Sequence, residues 1–145
     1  MPFVEVFVPR NTLTAEQRDQ LHQELVATVM AVEGAPDTAA ARSISWMVLN
    51  EVDSWSVGGE VLGAGAQPLI VVRISMPAGS LDDDKRSRMM DEVIDVLVRM
   101  DGSERYRQHP HAWVHINDVP DGNWGALGRV VGLSDIRGFI DAAAV

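Results

Sequence analysis

The residue with the most unusual chemistry stands second in the chain, in the opening Met1-Pro2-Phe3-Val4. Methionine ahead of a small residue such as proline is normally trimmed, and trimming would turn the Pro2 nitrogen from an amide into a free secondary amine. An ordinary α-amino group titrates at about 8, and burial in an apolar, cation-lined pocket lowers that value. Such an amine suits proton shuttling at neutral pH, and it can also add to a carbonyl carbon. The plain alternative is a proline that merely opens a strand, where its missing N–H is tolerated.

Other chemistries drop out. The chain contains no cysteine, so thiol catalysis, iron–sulfur clusters, thiolate zinc sites and disulfides are excluded together. Of the four histidines, His109 and His111 are held apart by Pro110 and are poorly placed to share an ion. His22 reads as a surface residue of a helix, and His115 alternates with Val114 and Ile116 as a strand residue. Asp82-Asp83-Asp84 reads as a helix N-terminus favoured by the dipole, not as a metal cluster. The glycine-rich stretches lack the Lys-Ser/Thr of a phosphate loop. No metal and no cofactor are expected.

The elements that must position Pro2 come twice. Phe3 to Val8 alternates with strand period, and Pro9-Arg10-Asn11 breaks the run. Thr14 stands three residues before Gln17 at capping-box spacing, and Leu21, Leu25 and Val29, with Val26 and Val32, make a helical stripe. Gly34-Ala35-Pro36 ends it, and Ile44 to Glu51 predicts a second strand. From Pro68 the plan returns. Ile70, Val72 and Ile74 alternate with Leu69, Val71 and Arg73, and Met76-Pro77-Ala78-Gly79 is expected to stop the strand. Met89, Val93, Val96 and Met100, beside Met90, Ile94 and Leu97, form a second stripe, and Ala112 to Asn117 a last strand. Val4, Val6 and Val8 map onto Ile70, Val72 and Ile74, Pro2 onto Pro68 and Arg18 onto Arg86. This is an internal duplication.

The expectation is one α+β domain over residues 1–145. Repeat one covers about 1–66, repeat two about 67–132, and residues 133–145 form a C-terminal tail that docks onto a neighbour. Two βαβ units make a four-stranded sheet with both helices on one face. The other face, with Phe3, Phe7, Leu69 and Val71 interrupted by Glu5 and Arg73, is left for contact with other subunits. Lys85, Arg86, Arg105 and Arg107 read as solvated surface. The net charge of −9 disfavours nucleic acid and anionic lipid as partners. Apolar runs such as Leu69 to Val72 fall far short of the roughly 20 residues of a membrane span, and the N-terminus has no export pattern. A cytoplasmic protein is expected.

Met-Pro, a short alternating strand, Pro9-Arg10, a capped helix, Gly-Ala-Pro, a strand and then Val57-Gly58-Gly59-Glu60 follow one another as in the tautomerase superfamily. The chain resembles that superfamily over nearly its whole length, with two βαβ units fused. Asn50-Glu51 and the Val-Gly-Gly-Glu hairpin resemble 4-oxalocrotonate tautomerase, and Val8-Pro9-Arg10 is similar to macrophage migration inhibitory factor. Trp113-Val114-His115 and Gly128-Arg129 resemble cis-3-chloroacrylic acid dehalogenase, and Asp121 to Gly125 malonate semialdehyde decarboxylase.

The resemblance implies a homotrimer with the amine at the bottom of a pocket between neighbours. Pro2 would be the catalytic base and acid, and Arg10 a carboxylate ligand through its planar guanidinium. Trp113, His115 and Trp124 would line the pocket. Trp46 stands where the small tautomerases carry a second arginine, with Arg42 four residues earlier. The stretch just after the third strand, Met76-Pro77-Ala78-Gly79, holds no arginine, Val29 stands in place of the dehalogenase's histidine and Ala126 in place of its water-activating glutamate. These departures weaken hydration, dehalogenation and decarboxylation by the same proline, although they remain the alternatives within the superfamily. The implied activity is that of an isomerase. It would be keto–enol tautomerisation of a small 2-hydroxy-dienoate or enol-pyruvate carboxylate, with Arg10, Arg42 or His115 holding charge and Trp46, Trp113 and Trp124 excluding water. The alternative from a different class is a non-enzymatic ferredoxin-like module that binds a small ligand or a partner through its open sheet face.

Overall fold

The computed structural model describes residues 1–143. Strand β1 (Phe3–Pro9) leads into helix α1 (Ala15–Glu33), a short α2 (Ala39–Ser43) and strand β2 (Trp46–Val52). A small hairpin, β3 (Ser56–Val57) and β4 (Glu60–Val61), separates this unit from the second. There β5 (Ile70–Pro77) leads through α3 (Asp83–Asp101) and a single turn, α4 (Arg105–Gln108), to β6 (Ala112–Val119). A second hairpin, β7 (Gly125–Ala126) and β8 (Arg129–Val130), precedes α5 (Leu133–Ala143).

The sheet order is β2-β1-β5-β6. Each βαβ unit pairs its own strands in parallel, and β1 and β5 join the units antiparallel. Val4, Val6, Val8, Val72 and Ile74 are fully buried, and Ile70 is nearly so. They pack in one core with Leu21, Leu25 and Val29 of α1 and Met89, Val93, Val96 and Leu97 of α3. Both long helices therefore cover one face, as the alternation requires. Thr14 and Gln17 make the reciprocal capping bonds (3.1 and 2.9 Å) that start α1. One ion pair is built twice. Arg18 of α1 reaches Glu51 at the end of β2 (3.1 Å), and Arg86 of α3 reaches Asp118 at the end of β6 (2.8 Å). Among the described residues no helix is long and apolar enough to cross a membrane.

Several local expectations are corrected. Strand β5 runs on through Met76 and Pro77, because β6 continues beside it to Val119. The register with β1 has ended at Phe3–Ser75, so the proline interrupts no central ladder. Met90 is not in the core but 39% exposed. Helix α5 seats Ile136 and Ile140 on Met30 and Ala41 of its own protomer, so the tail is part of the monomer's packing. Residues 144 and 145 of that tail lie outside the described residues.

Arg105 is not solvated surface either, being only 7% exposed. Its guanidinium donates to Asp101 (2.7 Å), to the Pro68 carbonyl (2.6 Å) and to the Tyr106 hydroxyl. The fourth partner is His111 Nδ1 at 3.3 Å. A guanidinium can only donate, so this ring nitrogen must accept and the imidazole must be neutral. Desolvation, then Arg105 and His109, hold the His111 pKa below its usual value. Burial likewise pushes the Tyr106 phenol up.

Two stability tests follow from this packing. Leu97→Ala is expected to cost about 2–5 kcal/mol in urea unfolding, and Met90→Ala, on the outward side of α3, less than about 0.5 kcal/mol. For His111, the unfolded chain takes up a proton near pH ~6.5 that the folded chain refuses until lower pH. Its contribution to stability is therefore complete above ~6.5 and lost as pH falls toward the depressed folded value. Urea midpoints measured between pH 7.5 and 5 should decline for the native chain and decline less for His111→Gln.

Candidate active site

The first strand of the sheet lies in its interior, and this decides where the N-terminus goes. Flanked by β2 and β5, β1 delivers Pro2 to the sheet end at which β2 starts. The Trp46 N–H donates to the Pro2 carbonyl (3.1 Å), and Pro2 itself is buried. Met1 lies directly in front of it. The Met1 ammonium donates to Glu33 Oε1 at 2.8 Å, and both side chains are almost closed to solvent.

Around this pair is a cleft of about 320 Å³, lined among others by Met1, Glu33, Lys85, Leu133, Arg137 and Asp141. Three helices build it. Glu33 is the last residue of α1, which stops because Gly34 takes the left-handed conformation (φ 88°) and returns its N–H to Met30 and Ala31. Lys85 lies in the first turn of α3, where the Asp82 cap accepts its backbone N–H (2.8 Å). Its ammonium then crosses to the Glu33 carbonyl, also at 2.8 Å. Helix α5 supplies Leu133, Arg137 and Asp141 as the remaining wall.

The structure gathers only some of the residues singled out from the sequence. Trp46 sits beside Pro2, 66% exposed, with its indole N–H on the Ser43 carbonyl (2.9 Å). Arg42 is close by on α2, paired with Asp37 at 2.5 Å, and this bond raises the arginine's pKa and lowers that of Asp37. Arg10 is elsewhere. It follows the far end of β1, about 25 Å along the strand from Pro2 at ~3.3 Å per residue. There Asp53 accepts from it at 2.5 Å and raises its pKa. Trp113 and His115 project from β6 on the face away from the helices, with their rings stacked at 6.3 Å. Trp124 is half-buried beside β7 and lines a shallow hollow of the second hairpin with Asn123 and Arg129.

One protomer thus joins Pro2 and Trp46, holds Arg42 in an exposed pair with Asp37 on α2, and leaves Arg10, Trp113, His115 and Trp124 apart from Pro2. Glu33, Lys85 and Arg137 line the cleft instead; Glu33 and Arg137 escaped the sequence reading, and Lys85, expected as solvated surface, is partly buried with its ammonium on the Glu33 carbonyl. Glu33 did leave a trace. An acidic residue at a helix C-terminus opposes the dipole, and α1 has no basic residue in its last turn.

Residues 71–134 match the family model described as Tautomerase enzyme, which is the second repeat. A search of curated proteins finds no match. Among solved structures, Pt0534 inactivated by 2-oxo-3-pentynoate superposes with a TM-score of 0.72 at 17% identity, covering 91% of this chain and 97% of that one. A wild-type fused 4-OT in an asymmetric trimer gives 0.70 at 21%, covering 88% and 94%. A member of the cis-3-chloroacrylic acid dehalogenase family gives 0.69 at 14%, covering 89% and 82%. The second repeat thus matches the Tautomerase enzyme model, and the chain shares the fold of these solved structures over nearly its full length.

Proposed function

We propose that this chain is a keto–enol tautomerase of small 2-hydroxy-dienoate or enol-pyruvate carboxylates, with Pro2 as its proton carrier once Met1 has been removed. The observation that carries this reading is the burial of Pro2 at the head of an interior strand, next in the chain to Met1, which lines the cleft. Removing Met1 would put a secondary amine at the cleft wall. The free amine takes the proton of the enol hydroxyl as electron density moves toward the substrate carbon. The resulting ammonium then returns a proton to that carbon, so no proton is gained or lost overall. The substrate carboxylate needs a cation, and Lys85 and Arg137 at the cleft, with Arg42 nearby, are the groups one protomer offers. Trp46 provides a flat apolar flank.

The working unit of this proposal is a homotrimer; the fused 4-OT structure to which the chain is similar is a trimer. What supports it is the uncovered sheet face. Across the four strands run Trp46, Phe3, Ser75 and Asn117, then Val48, Glu5, Arg73 and His115, then Asn50, Phe7, Val71 and Trp113. Trp46, Val48 and Trp113 are exposed there, a surface suited to other copies of the chain. Such packing would bring Arg10, Trp113 or Trp124 of one protomer toward the cleft of another. From its acidic charge we also propose a cytoplasmic assembly without nucleic-acid or anionic-lipid partners.

Two experiments test these statements. With Met1 removal verified by intact mass, Pro2→Ala should lower the ketonisation rate of enol phenylpyruvate by about 10²-fold or more. An uncleaved N-terminal extension should do the same, and unchanged rates in both would remove Pro2 from the mechanism. Val71→Asp, which places a carboxylate amid Phe7 and Trp113, should reduce the trimer mass to that of a monomer in light scattering. A mass equal to that of the native chain would refute the sheet-face assembly.

A further inference from the structure

The last residue of α1 is electrostatically out of place. A carboxylate at a helix C-terminus adds negative charge to the negative end of the dipole, yet Glu33 is held there with its side chain only 10% exposed. Nothing about its position is loose. Gly34 fixes the backbone on one side, and Lys85 binds the Glu33 carbonyl at 2.8 Å on the other. Oε1 accepts the Met1 ammonium at 2.8 Å. Oε2 is shut off from solvent and has no hydrogen-bond partner. A buried carboxylate oxygen without a donor is costly, and residues that break a local rule in this way cluster at functional sites.

We infer that Glu33 is the positioning residue for the N-terminal amine, taking the Pro2 ammonium in the mature chain as it takes the Met1 ammonium here. This rests on the reading that Pro2 becomes the free terminus. Loss of Met1 would strip Oε1 of its partner and leave both carboxylate oxygens of Glu33 without a donor. A protonated N-terminal proline carries two N–H donors, so one ring nitrogen matches one carboxylate. The other charged groups lining this cleft are Lys85 of α3 and Arg137 and Asp141 of α5. Of the cations, Lys85 is already engaged by the Glu33 carbonyl, and the terminal amine is the one that reaches the carboxylate. Glu33 thereby fixes where the proton carrier stands and favours its charged form.

The test compares native protein with Glu33→Gln and Glu33→Asp, each with Met1 loss confirmed by intact mass. The protein carries ¹⁵N-proline, and the Pro2 nitrogen is titrated by NMR. Glu33→Gln removes the neighbouring negative charge, so the Pro2 titration should move to lower pH by about one unit. Its kcat should change more than its KM, and Glu33→Asp should lie between the two. Should Glu33→Gln fail to fold, an intermediate shift in Glu33→Asp decides the matter. Pro2 titrating at the native pH in a folded variant would overturn the inference. A shifted titration in a protein without tautomerase activity would leave Glu33 as the amine's partner and overturn the proposed reaction instead.

Discussion

The interior position of β1 governs the rest of the structure. A first strand at a sheet edge can leave its N-terminus in solvent, but β1 is flanked by β2 and β5 and cannot fray. Val4, Val6 and Val8 hold it from below, against the helices, and the ladders hold it from both sides. The residue before it must therefore end inside the protein, at the sheet end where β2 begins and the last turn of α1 arrives. Proline is well suited to that place, since its missing N–H leaves no ladder donor unsatisfied. The same feature gives it a secondary amine once it becomes terminal.

Duplication gives the chain two prolines in equivalent places, of which only one can become a terminal amine. Pro68 occupies in repeat two the place of Pro2 in repeat one, but it is internal and has no amine. Its carbonyl is bound by the buried Arg105, which also binds Asp101, Tyr106 and His111. At the Pro2 end, the corresponding space is a cleft that α5 closes on one side. One copy of the plan is locked as structure, and the other is left open. The repeated helix-to-strand ion pairs, Arg18–Glu51 and Arg86–Asp118, belong to what both copies share. Both are partly exposed, so their contribution is modest.

Period and capping made the scaffold legible. Alternation in Phe3 to Val8 and Ile70 to Ile74, the Thr14–Gln17 box and the Gly34 stop all follow from short-range rules. What stayed hidden depends on segments that meet only after folding. Arg105 looks like any surface arginine until the distant Pro68 carbonyl meets it and joins its chain neighbours Asp101, Tyr106 and His111 around the guanidinium. An amphipathic α5 shows which side it buries, through Ile136 and Ile140, but not that the surface waiting for it is Met30 and Ala41 of the same chain. Of the candidate site residues, Pro2 is visible because the chemistry proposed for it depends on being terminal. Glu33 and Lys85 are not, because an ion at a helix end acquires meaning only from what faces it.

The central claim is that a prolyl nitrogen is the group that reacts with substrate-like carbonyl compounds at the cleft. The most direct measurement is covalent: inactivate the Met1-processed protein with a small electrophilic 2-oxo acid and map the adduct by peptide mass spectrometry. The account predicts a single label per chain, on Pro2, appearing in step with loss of activity. Complete inactivation with Pro2 unmodified, or a label confined to Lys85 or His115, would contradict it.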